Sequence, residues 1–71
     1  MATIKPTKQQ RAIELSYQRA MNIRDSLRLV PDKLESWYGE QYRRLYKIGG
    51  KGEFFECTRF YLKRLREAQP L

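Results

Sequence analysis

Seventy-one residues is about half of an ordinary domain, so the chain has room for one small unit and none for a cofactor fold joined to a substrate domain. Fifteen Lys and Arg against eight Asp and Glu leave a formal charge of +7, and there is no histidine. That balance favours anionic partners without specifying a fold or a reaction.

With no histidine and Cys57 as the single cysteine, a Cys/His zinc site, a Ser-His or Cys-His nucleophilic pair and an internal disulfide are all excluded within the chain. The expectation is a non-enzymatic protein with no cofactor and no metal, in a reducing, cytoplasmic compartment. Met1 to Pro6 carries no apolar export segment, and no run approaches the roughly 18 apolar residues of a membrane span. No membrane partner is expected.

Punctuation divides the chain into three periodic blocks. It predicts one all-α, three-helix domain over the whole chain, with helices at about 8–30, 33–48 and 53–68 and short frayed tails at 1–6 and 69–71. Thr7 and Gln10 stand at the spacing of a capping box, so the first helix should start near residue 8. Its apolar residues Ala12, Ile13, Ala20, Ile23, Leu27 and Val30, with Ser16 among them, share one sector at about 100° per residue. Pro31 disfavours helical geometry at Val30, and Asp32 with Glu35 repeats the capping pattern.

The second block carries Leu34, Trp37, Tyr38, Gln41, Tyr42, Leu45 and Ile48 at i, i+3, i+4, i+7, i+8, i+11 and i+14, the clearest amphipathic signal in the chain. Gly49-Gly50-Lys51-Gly52 then supplies a left-handed cap and a turn. A phosphate-loop reading fails, because no hydroxyl residue follows Lys51 and no strand precedes the glycines. In the third block Phe54, Phe55, Thr58, Tyr61, Leu62 and Leu65 mark a core face, ending before Pro70. Strict alternation is absent, so strands are not expected.

Two sets of residues fall outside these core faces. Arg59, Lys63 and Arg66 form an i, i+4, i+7 basic stripe, with Arg64 on the opposite flank and Arg43, Arg44 and Lys47 near the end of the second helix. Such a ladder suits successive phosphates of DNA or RNA, while the alternative is that these cations complement helix dipoles and pair with Glu40 and Glu56. The second set is aromatic and arginine-rich. Tyr17, Met21, Arg24 and Arg28 form a stripe on the first helix, the alternative being that Tyr17 and Met21 pack against the other helices while the arginines are solvated. Gly39 lies beside Tyr42 and Tyr46, where a backbone can approach or the helix can break or kink, and Phe60 lies away from the Phe54 face. Phe60 calls for a cover, such as Ile4, a second copy or a partner, unless it is one of the isolated exposed apolar residues that ordinary surfaces carry.

The primary expectation is a small regulatory or accessory module binding nucleic acid, DNA first, through the stripe on the third helix. The alternative is a protein-binding adaptor or inhibitor, of the kind phages and plasmids encode, that engages an acidic surface of a host protein. Homodimerisation would use the surplus of large aromatics. Six cations against two anions precede Pro31, four oppose three up to Gly50, and five oppose three thereafter. No block owns the charge.

Overall fold

In the computed structural model, which describes residues 5–70, the capping box forms as its spacing predicts. The Thr7 hydroxyl accepts from the Gln10 N–H at 3.1 Å, and Gln10 Oε1 accepts from the Thr7 N–H at 2.9 Å. It opens α1 (Lys8–Asp25), which is followed by α2 (Asp32–Ile48) and α3 (Lys51–Glu67), with no strand among the described residues. The domain is all-α. The tail residues 1–4 and 71 lie outside the described residues.

The first helix stops at Asp25, five residues short of the reading based on Pro31. Ser26 turns its N–H and its hydroxyl back onto the Ile23 carbonyl, at 3.1 and 2.7 Å, and the Leu27 N–H bonds Arg24 O at 3.0 Å. A hydroxyl that competes for the last carbonyls tightens and ends the ladder before proline is reached. Leu27 and Val30 still pack against the core, but from an irregular connection. That connection is held from the other end of the chain. Gln69 Oε1 accepts the Arg28 and Leu29 N–H groups at 2.8 and 3.1 Å, and its amide donates to Leu29 O and Leu65 O. The expected C-terminal tail is thus anchored at its first residue.

The second capping pattern forms differently. Pro31 is the N-cap of α2 and makes no side-chain cap bond, while Asp32 and Glu35 occupy the first turn. Asp32 there meets the positive end of the helix dipole. Glu35 is drawn away from a capping role because its carboxylate serves both neighbouring helices: it accepts from Arg24 Nη1 of α1 at 2.8 Å and from the Tyr61 hydroxyl of α3 at 2.7 Å.

Gly49 closes α2 in the left-handed region, φ 72°, which a glycine enters without steric cost. Gly50 must be small for a separate reason: a Cβ there would stand 2.8 Å from Cδ2 of Leu45, a fully buried side chain. Gly50 caps α3, which therefore starts two residues earlier than the sequence reading.

α1 and α2 are antiparallel, with Gln10 donating to Tyr46 O at 3.2 Å at one end and Arg24 bridging to Glu35 at the other. α3 returns against α2, so α1 and α3 run parallel, with Ser16 Oγ 3.3 Å from Thr58 Oγ1. The core is Ile13, Ala20, Tyr38, Leu45, Phe54, Tyr61 and Leu65, with Tyr17, Met21, Trp37 and Tyr42 packed around it. Tyr38 stacks on Tyr61 with centroids 4.0 Å apart and on Tyr17 at 5.5 Å, and Tyr17 stacks on Tyr42 at 4.0 Å. The Tyr38 hydroxyl lies 2.7 Å from Thr58 Oγ1, which itself donates to Phe54 O.

Of the two arrangements open to Tyr17 and Met21, α1 adopts the one that turns both toward the core. The packing differs from the sequence reading at Ile48 and Phe55. Ile48 is 66% exposed at the last turn of α2, and Phe55 is 37% exposed rather than buried like Phe54.

This packing has three measurable consequences. Glu35→Ala removes one acceptor from two helices at once and should destabilise the fold by about 2 kcal/mol, read by urea melts, with Glu35→Gln retaining part of the loss. Gly39 lies inside an unbroken α2, and a Cβ there would meet nothing within 4 Å. Gly39→Ala should therefore stabilise by about 0.5–1 kcal/mol and raise Tm by roughly 2–8 °C. Burial pushes the Tyr38 hydroxyl from its ordinary 10.0 up to about 12, and burial with the Glu35 hydrogen bond raises Tyr61 as well. Their neutral forms are favoured by folding, so this stability is complete below about pH 10 and is lost as pH rises through the folded-state values. Thermal melts across that range should show it, with a shallower decline in Tyr38→Phe.

Candidate functional site

α3 separates two open grooves, one shared with α1 and one with α2. The α2 side has a groove of about 560 Å³ lined by Leu34, Trp37 and Phe60, with Lys33, Arg64 and Glu67 at its rim. Phe60 is 51% exposed and meets Trp37 edge-on at 5.4 Å, and the Arg64 guanidinium stands 5.9 Å above its ring. That lies within the range of cation–π attraction. Phe60 is therefore one wall of an aromatic groove rather than an isolated apolar residue. Ile4, one of the covers expected for it, lies outside the described residues.

The α1 side has a groove of about 510 Å³ between the two parallel helices. Ala12, Leu15 and Ile23 of α1 face Phe55 and Leu62 of α3 across it, and Arg19 and Arg59 stand one on each bank. Leu15 is 49% exposed. No acidic residue lines this groove, and among the described residues neither Arg19 nor Arg59 is in an ion pair.

The predicted basic residues are all exposed, but they do not merge into one surface. Arg59 belongs to the α1 side, and Lys63 and Arg66 follow it at i+4 and i+7 on neighbouring outward positions of α3. Arg64 belongs to the α2 side, where it also pairs with Glu67 at 3.3 Å. Arg44 is exposed on α2, where it donates to Gln41 Oε1 of the same helix at 2.7 Å. Arg43 and Lys47 project from the outward face of α2. The expected pairings of Glu40 with Arg44 and of Glu56 with Arg59 or Lys63 do not form.

The aromatic and arginine set is divided in a similar way. Tyr17, Met21 and Tyr42 are half-buried against the core, and Arg24 is held by Asp25 at 2.9 Å and Glu35 at 2.8 Å. Those four side chains work inside the fold. Arg28 is exposed, its backbone N–H taken by Gln69. Gly39 and Tyr46 are half-buried, and Gln10 of α1 donates to the Tyr46 carbonyl. Burial pushes the Cys57 thiol up, with Arg44 opposing the rise, so the thiolate is disfavoured.

Leu15 and Arg19 escape the sequence reading, although a signal for them exists. Leu15 is a large apolar residue outside the predicted core sector of α1, and Arg19 follows it at i+4, the spacing that places two residues on one strip. Among the described residues no helix is long and apolar enough to cross a membrane. No protein-family model, curated protein or solved structure matches the chain.

Proposed function

We propose that this protein is a non-enzymatic binding module whose working surface is the α1–α3 face and whose partner is an acidic protein. One observation supports this reading above the others: an apolar strip of Leu15, Phe55 and Leu62 lies between two arginines, with no acid on its lining. An exposed apolar strip gains by being covered, and flanking guanidinium groups select a carboxylate-bearing cover and steer it in. The Trp37–Phe60 groove has a weaker claim on an acidic ligand, because its Arg64 is already paired with Glu67.

A nucleic-acid partner is the second reading, favoured by the exposed i, i+4, i+7 stripe of Arg59, Lys63 and Arg66. Its weakness is that Arg43, Arg44, Lys47 and Arg64 lie on other faces, which leaves few cations to track one backbone. The two readings separate in a titration with duplex DNA at several salt concentrations. Four phosphate contacts from Arg19, Arg59, Lys63 and Arg66 would give a log–log salt slope of about −4. The acidic-protein reading expects a slope shallower than about −2, insensitive to Leu15→Glu. A steep slope abolished by Arg59→Ala and Arg66→Ala would replace the first reading with the second.

A further inference from the structure

We infer that the α1–α3 groove takes an acidic amphipathic helix of a partner protein, laid along the furrow as a fourth helix beside the three of this chain. The inference rests on the reading of the α1–α3 face as a protein-binding surface and adds the form and pattern of the partner segment.

The shape comes from the register of two parallel helices. Ser16 of α1 meets Thr58 of α3, and Ala12, Leu15, Arg19 and Ile23 recur at i, i+3, i+7 and i+11 along one bank. Eleven residues of helix cover about 16 Å, or three turns. Phe55, Arg59 and Leu62 recur at i, i+4 and i+7 on the other bank. Apolar positions on both banks at helical spacing form a trough into which the ridge of a third helix fits, and an amphipathic helix laid in a groove is anchored at i, i+3, i+4 and i+7.

The charge pattern comes from the rims. Measured from the Ser16–Thr58 pair, Arg19 is three residues along α1 and Arg59 one residue along α3, so the two backbone positions from which the arginines spring lie within about 3 Å of each other in axial level. An occupant between them needs carboxylates on both edges of its apolar stripe, at one level along its length. A second copy of this chain does not meet that need. Its own α1–α3 face carries the same two arginines, and each copy brings a net +7. A nucleic-acid backbone would satisfy the arginines but leave Leu15 and Phe55 against phosphate.

The test uses the intact protein and two synthetic peptides of about 14 residues. One carries Leu at i, i+3, i+4 and i+7 with Glu on both flanks. Its isomer has the same composition in strict alternation. Calorimetric titration should show the helical-pattern peptide binding about tenfold or more tightly than the isomer, with a gain of helical CD signal on mixing. Leu15→Glu and Arg59→Glu should each weaken it about tenfold, and Arg43→Glu on the outward face of α2 should leave it unchanged. A peptide with Lys replacing the flanking Glu should bind the double variant Arg19→Glu, Arg59→Glu, a recovery that misfolding of the variant cannot produce.

Equal binding of both isomers, with both lost in Arg59→Glu, would overturn the helical form while leaving an acidic protein partner standing. Binding of either peptide that ignores Leu15 and Arg59 would overturn both readings. Displacement of the bound peptide by duplex DNA at equal charge concentration would transfer the groove to nucleic acid.

Discussion

Burying a tyrosine is costly unless its hydroxyl finds a partner, and this fold buries two of them face to face at its centre. Tyr38 and Tyr61 are fully buried and stacked at 4.0 Å, and every helix contributes to keeping their oxygens satisfied. Thr58 receives Tyr38, and Glu35 receives Tyr61 and in turn holds Arg24. No buried side-chain polar atom among the described residues lacks a partner. For a chain too short to enclose many aliphatic residues, stacked rings supply apolar area at low side-chain entropy. The hydroxyl bonds tie the rotation of α2 and α3 together, because Tyr38 has to face Thr58 while Tyr61 faces Glu35.

That rotation determines the surface. Turning Tyr17 inward to stack beside Tyr38 and Tyr42 carries Met21 with it. On a helix the side chains two positions to either side lie about 160° away and must then point outward. In α1 these are Leu15 and Arg19, and together with Phe55 and Arg59 they become the α1–α3 groove. The candidate site is thus a by-product of the aromatic centre.

Local signals are legible in the sequence wherever a few adjacent residues decide the outcome. The Thr7 capping box, the Gly49 cap and the amphipathic run through Tyr38 and Leu45 all stand where their spacing places them. The illegible features depend on partners distant along the chain. Pro31 is the visible stop for α1, but Ser26 ends it, and Gln69, about forty positions away, shapes the connection beyond. Arg24 reads as a surface anchor because nothing local shows that Glu35 will face it. Tyr17 has the composition of an interface residue and the environment of a core residue, and a wheel alone does not distinguish these.

The Gln69 carboxamide closes the α1–α2 connection from beyond the end of α3. The Arg28 and Leu29 amides can therefore exchange with solvent only when the C-terminal end lets go, so the connection and that end open as a single cooperative unit rather than as two independent frays. Sequence-distant closure of this kind also places the ordering of residues 26–31 late in folding, after α3 has docked.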